Sequence, residues 1–233
     1  MEPAMLTDPR DLLFPGHTAL LIIDMQKDFC LEGFGAHKAG RNLTATRSII
    51  PNLSRLLAAA RQSGVLVGHV GFWTLPDHLS DSGPWLAQRR RSTYSSDELA
   101  LAGGEGAEFI DELSPQQGEL ILHKHRYSAF KGTNLDMLLR VHNIHTVVVA
   151  GVSTNVCVES TLREAFELDY YVCAPRDGVA SWDTKLHEAT LQTITHRFGL
   201  VTTCEEILEC WRRKRSRTSA PRTAADHKRD TTT

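Results

Sequence analysis

Short apolar runs recur along the chain, and stretches with helical spacing lie between them. The runs are ALLII (19–23), VLVGHV (65–70), ELIL (119–122), TVVVAG (146–151), YYVCA (170–174) and the weaker GLVTT (199–203). Four to six apolar residues without polar alternation predict strands buried on both faces, and their alternation with helices predicts βαβ units on a parallel sheet. Asn42-Leu43-Thr44 opens one helix, with Ile49, Leu53, Leu56, Leu57 and Ala60 on one face and Gly64 as its stop. A second predicted helix, 154–168, carries Val158, Leu162, Ala165 and Phe166 at helical spacing, and a third runs over about 183–198. The pattern predicts an α/β fold with a mainly parallel sheet and no internal repeat.

Residues 71–106 interrupt this rhythm. They are rich in Gly, Ser and Pro, and they carry Trp73, Trp85, Tyr94 and the triplet Arg89-Arg90-Arg91. So long an interruption inside a compact domain predicts a functional lid, and two tryptophans predict an ordered one. The remaining division is an N-terminal extension over 1–16, one body over 17–210, and a tail over 211–233. A chain of 233 residues suits one such body.

Composition narrows the function. Hydrophobic residues make up 41% and charged residues 23%, ordinary globular usage that leaves enough apolar surface for a packed core. No window approaches the ~20 apolar residues of a membrane helix, and the first residues lack a basic-then-apolar leader pattern, so a soluble, cytoplasmic protein without membrane partners is expected. The five cysteines (Cys30, Cys157, Cys173, Cys204 and Cys210) are odd in number, with no CxxC pair, and fit neither a disulfide framework nor a zinc site. From Trp211 onward there are eight Lys and Arg against two Asp and Glu, a surplus that leaves the rest of the chain at −8 within a total of −2. Such a tail reads as a nuclear-localisation or nucleic-acid patch or as a solvated appendage. Without an aromatic platform or binding fold the appendage is the reading adopted, and no nucleic-acid partner is expected.

In open α/β sheets ligands gather at the carboxyl ends of strands. Three reactive side chains fall there: Asp24 after the first strand, Lys124 after the third, and Cys157 in the turn-to-helix segment after the fourth. Gly151 allows a sharp exit from that fourth strand, Ser153 or Thr154 can cap the next helix, and the helix dipole would help the Cys157 thiol to ionise. Taken alone, Cys157 could equally be a small buried hydrophobe, and Asp24 and Lys124 a structural ion pair. Together they supply a nucleophile, a proton acceptor and a cation for both anions, the parts needed for acyl transfer.

The combination ALLIIDMQKDF, ILHKHRYSAF and VVVAGVSTNVCVESTLREA resembles the isochorismatase-like cysteine hydrolase superfamily, over about residues 17–208. Within it, KHRYSAFKGTNLDMLLR and GVSTNVCVESTLREAFELDYYV are most similar to the ureidoacrylate amidohydrolase branch, with biuret hydrolases as near relatives. The resemblance implies a three-layer Rossmann-like fold with a six-stranded, mainly parallel sheet. It implies Asp24, Lys124 and Cys157 as a catalytic triad, hydrolysis of an amide or carbamoyl C–N bond through a thioacyl enzyme, and homo-oligomers. It also implies a cis peptide between Val152 and Ser153, with the Ser153 and Cys157 amides as the oxyanion hole.

Nicotinamidase-type members place an Asp-x-His and a second His after the second strand to hold a metal. Here His69 and His78 stand in HVGFWTLPDH without that Asp-x-His, so neither metal nor other cofactor is expected. His123 and His125 read as packing or surface residues, and His142 with His145 as a solvated helix end. For the small-molecule substrate, Phe29, Trp73, Tyr127 and Phe130 are candidate pocket walls, with Gln26 and Asn134 as candidate hydrogen-bonding groups. Arg89, Arg90 and Arg91 could receive a substrate carboxylate or be solvated. The alternatives to an amidohydrolase of this type are a nicotinamidase-like or cyclic-amide hydrolase, a non-catalytic member, and a redox-responsive thiol protein.

Overall fold

The computed structural model describes residues 5–92 and 97–212. All six predicted strands are present: β1 (Thr18–Ile23), β2 (Leu66–Phe72), β3 (Leu120–Lys124), β4 (Thr146–Val152), β5 (Tyr171–Pro175) and, last in the chain, β7 (Gly199–Thr202). A seventh, β6 (Val179–Ala180), is only two residues long and pairs with the end of β4. The order is β3-β2-β1-β4-β5-β7, and every pairing is parallel. Chain direction across the sheet reverses between β1 and β4, which makes their carboxyl ends the topological switch point.

The apolar runs are continuous because both faces are covered. Every residue of β1 and β4 is buried. Leu20, Ile22, Val148 and Ala150 pack on one side with Leu53, Leu56 and Leu57 of the helix Ile50–Ser63 and with Ile207 and Trp211 of the helix Cys204–Arg212. Leu21, Ile23, Val147 and Val149 pack on the other with Leu135 and Leu139, Leu162, and Leu191 and Ile194 of three further helices, Leu135–Val141, Glu159–Glu167 and Thr184–Arg197. Three layers result, helices on each side of one sheet.

The predicted stop of the first helix holds, and an unpredicted cap opens the Thr184–Arg197 helix. Gly64 sits at φ 75° and ends the Ile50–Ser63 helix in the left-handed region. Asp183 caps the Thr184–Arg197 helix, its side chain accepting from the Leu186 N–H. Gly151 is required twice over, by its φ of 112° and because a Cβ there would run into the Ile23 carbonyl.

Two boundaries differ from expectation. The body does not end at residue 210: Trp211 is buried, completes the last helix, and donates its Nε1–H to the Leu13 carbonyl at 3.1 Å. Leu13 is itself core, so the predicted extension contributes to the body at that residue. Residues 213–233, most of the predicted tail, lie outside the described residues, as does Tyr94 of the lid. The lid is also more regular than expected, since it contains the helix Gly83–Arg91, opened by Ser82 accepting from the Trp85 N–H. No helix among the described residues is long and apolar enough to cross a membrane.

Candidate active site

Asp24 leaves β1 with φ 52°, a left-handed conformation that Asp tolerates better than most residues, while its N–H bonds to the Val70 carbonyl at 2.8 Å. Lys124 is the last residue of β3 rather than the residue after it, in register with Phe72 of β2. Its side chain reaches past β2, where the ammonium lies 5.0 Å from the centre of the Phe72 ring. There it donates to Asp24 Oδ2 at 2.9 Å, to Cys157 Sγ at 3.3 Å and to the Arg126 carbonyl at 3.3 Å. The three sequence-predicted residues therefore meet, although they come from three strand ends and all are buried.

Cys157 occupies a wide π-type turn, Thr154–Val158, that runs into the helix Glu159–Glu167. Neither expected side-chain cap is formed. Thr154 Oγ1 instead lies 2.8 Å from His187 Nδ1, and Ser153 Oγ is directed to Asn155 Oδ1 at 3.5 Å, which also accepts from Ser181 Oγ at 2.6 Å. The Val152–Ser153 peptide is cis. Thr161 ties the turn down by donating to the Cys157 carbonyl at 2.7 Å while accepting from the Ala129 N–H.

Electrostatically, the site has one ammonium for two acids. Burial pushes the Cys157 thiol up, the neighbouring Asp24 charge adds to that, and Lys124 only partly offsets them. Helix-dipole activation of the resting thiol, expected from position alone, is thus outweighed. Burial likewise raises the Asp24 carboxyl against the pull of Lys124. Burial also acts against the Lys124 cation, but Asp24 and Cys157 outweigh it and hold it protonated. The balanced resting state is an ammonium–carboxylate pair beside a neutral thiol. Asp24 Oδ1 receives no hydrogen bond of good geometry among the described residues, yet the thiol is near enough to act on the carboxylate as a donor.

The triad opens onto a cavity of about 450 Å³ lined in part by Asp24, Ser153 and Cys157. Of the candidate walls, Phe29 and Tyr127 line it. The other four candidates do not. Trp73 stacks on His123 at 3.5 Å between ring centroids, and Phe130 is buried in the helical layer against Tyr170. Asn134 is exposed at the start of the helix Leu135–Val141. Gln26 is buried and fully engaged with backbone: it donates to the Phe72 and Ala107 carbonyls at 3.0 and 2.7 Å and accepts from the Phe72 N–H at 2.8 Å. It thereby ties the short turn Glu105–Ala107 to the end of β2.

Of the arginine triplet, Arg89 reaches the cavity, while Arg90 and Arg91 are exposed. Sequence reasoning missed Arg41, Phe72, Trp85, Asn155 and Trp182, which are among the other residues lining it. The only hint was local, in the Ser82-Gly83-Pro84-Trp85 helix start and in Trp182 just before the Asp183 cap. His69 pairs with Glu119 at 2.9 Å and His78 with Asp81 at 2.8 Å, and among the described residues no three His, Cys, Asp or Glu side chains gather as metal ligands.

A family model described as the isochorismatase domain matches residues 18–206. Ureidoacrylate amidohydrolase RutB of Klebsiella variicola (strain At-22) is 34% identical over 210 residues, spanning 85% of this chain and 89% of the relative. The crystal structure of a cysteine hydrolase from Pseudomonas syringae pv. phaseolicola 1448A is similar with a TM-score of 0.76 at 30% identity, over 85% of this chain and 93% of that one. N-carbamoylsarcosine amidase from Thermoplasma acidophilum follows with a TM-score of 0.64 at 27% identity, over 81% and 96%. By this agreement over most of its length, the chain belongs to the isochorismatase family and is an amidohydrolase acting on carbon–nitrogen bonds.

Proposed function

We propose that the chain cleaves a C–N bond of a small amide, ureido or carbamoyl substrate through a thioacyl enzyme on Cys157. The observation that carries this reading is the single ammonium of Lys124 bridging the Asp24 carboxylate and the Cys157 sulfur at a cavity wall. Asp24 accepts the thiol proton as sulfur attacks the substrate carbonyl carbon, so the one negative charge passes from the carboxylate to the carbonyl oxygen and the site never holds two. The oxyanion is held by the Ser153 and Cys157 amides, and losing one such donor typically costs about 2.7 to 4 kcal/mol of barrier. Asp24 returns the proton to the leaving nitrogen, and the C–N bond breaks. Water then gives a proton to Asp24 and its hydroxyl to the thioester, releasing the acid and restoring the thiol. A carbamoyl product leaves as a carbamate.

Relatives support the substrate range by name, ureidoacrylate for one and N-carbamoylsarcosine for another. An ammonia-release screen over ureido acids, carbamoyl compounds and primary amides, run beside Cys157→Ala, tests the assignment. Release by the wild type and a loss of about 10³-fold or more in a folded variant is the expected result. Cys157→Ala turnover above roughly 1% of wild type would end it.

A further inference from the structure

The turn that carries Cys157 has no side-chain cap of its own, and a later stretch of the chain holds it instead. Thr154, the first residue of the turn and fully buried, places Oγ1 2.8 Å from His187 Nδ1. Asn155 accepts from Ser181 Oγ at 2.6 Å, and Glu159, where the turn passes into its helix, accepts from Thr190 Oγ1 at 2.5 Å. Residues 187 and 190 stand three apart on the helix Thr184–Arg197 and therefore share a face. Neither end of the His187–Thr154 contact meets the substrate cavity. Ser153 and Cys157 line the cavity of the triad, whereas His187 lines a separate one of about 350 Å³.

A threonine at a helix start ordinarily turns its hydroxyl back on the N–H groups of the next turn. Here the imidazole takes that hydroxyl, and the amides of the turn stay clear of it. Thr154 lies between Ser153 and Cys157 in the chain, so a rotation of its backbone changes the angle between their two N–H groups. Donors to an oxyanion act within a few tenths of an ångström, and a misplacement of about 1 Å can cost about 100-fold in rate. We propose that His187 is a positioning residue of the hydrolase: by holding the Thr154 hydroxyl it fixes the turn Thr154–Val158, and so the aim of the Ser153 and Cys157 amides. This inference rests on the thioacyl mechanism above and adds to it a residue from outside the site.

Three variants test it. Thr154→Val keeps the shape and removes the hydroxyl, His187→Leu removes the ring nitrogen, and His187→Asn returns a donor or acceptor atom to the Nδ1 position. Hydrogen exchange read by mass spectrometry on the peptide covering 153–158 is expected to show protection factors about 3- to 10-fold lower in Thr154→Val and His187→Leu, restored in His187→Asn and unchanged in the helix Ile50–Ser63. Acylation and deacylation both pass through an oxyanion, so kcat is the kinetic readout. On the fastest-cleaved of N-carbamoyl-β-alanine, biuret and butyramide, Thr154→Val and His187→Leu are expected to lose about 10- to 100-fold in kcat with KM within about twofold, and His187→Asn to regain most of it. The double variant should stay within about twofold of the poorer single one. Unchanged exchange at 153–158, or exchange equally faster in both segments, would overturn the proposal, as would kcat within about twofold of wild type, a loss carried by KM, or losses that multiply in the double variant. If His187→Leu does not fold, the nearly isosteric Thr154→Val carries the same test. Turnover retained in Cys157→Ala would overturn the thioacyl mechanism and not the hold of His187 on the turn, which the exchange data decide by themselves, as they do if none of the three compounds is cleaved.

Discussion

Replacing Lys124 by Met removes the cation that bridges two buried acids, Asp24 and Cys157. The Lys124–Asp24 pair is 2.9 Å apart with side chains 0% and 3% exposed, which at an effective dielectric of 20 corresponds to a Coulomb term of about 6 kcal/mol. Methionine repacks the stem, so the deficit is chiefly the orphaned carboxylate, for which breaking a buried pair costs about 3 to 5 kcal/mol. Asp24 can escape by taking a proton, and the ceiling this sets is about 1.4 kcal/mol for each pH unit above its unfolded pKa of about 3.9. That ceiling is about 1.5 kcal/mol at pH 5 and about 5.6 kcal/mol at pH 8. In the variant the folded pKa of Asp24 lies above the unfolded one, so the native state binds the extra proton and stability falls as pH rises through this window. Urea unfolding at pH 5 and pH 8 is expected to show a loss that grows by at least about 2 kcal/mol, and adding Asp24→Asn is expected to flatten it. A loss below about 1 kcal/mol at both pH values, or one unchanged by Asp24→Asn, would refute the view of Lys124 as the counter-ion of the site.

Gln26→Leu should cost about 2 to 4 kcal/mol in chemical denaturation, because it strands the Phe72 N–H and the Phe72 and Ala107 carbonyls; a loss under 1 kcal/mol would show that water replaces the amide. Glu119 works against burial, yet Arg61, the Gln116 N–H and His69 hold its carboxyl down at about 2. Its contribution is therefore present above the unfolded value of about 4.3 and lost as pH falls towards 2, and Glu119→Gln should remove that slope and cost about 1 to 3 kcal/mol at pH 7 by thermal unfolding. Because the resting Cys157 thiol is pushed up, peptide-mapped iodoacetamide labelling of the substrate-free enzyme should rise only above the free-thiol value of about 8.5. Half-maximal labelling at pH 7 or below would contradict a neutral resting thiol.

Much of the fold was legible because β1 and β4 are buried on both faces, and burial on both faces leaves an unbroken apolar run that no loop mimics. That Asp24 and Lys124 would find partners was legible for a related reason, since a charged side chain at the end of such a run must meet one. The lid helix Gly83–Arg91 was not, because it buries Arg89 rather than an apolar stripe, and only the Ser82 cap and Pro84 mark it. Gln26 was misplaced because its partners lie 46 and 81 residues away, and proximity to Asp24 in sequence carries no information about them. Arg41 and Trp182 belong to the same cavity only through tertiary packing, 141 positions apart in numbering, with nothing local to join them.

The covalent intermediate is open to direct observation. Acid-quenched turnover of a ureido acid, followed by intact-protein mass spectrometry and peptide mapping, should reveal an adduct equal to the substrate acyl fragment on the peptide containing Cys157, present in wild type and absent from Cys157→Ala. Turnover at full rate with unmodified Cys157 at every quench time, or an acyl group on another residue, would contradict nucleophilic catalysis by this thiol.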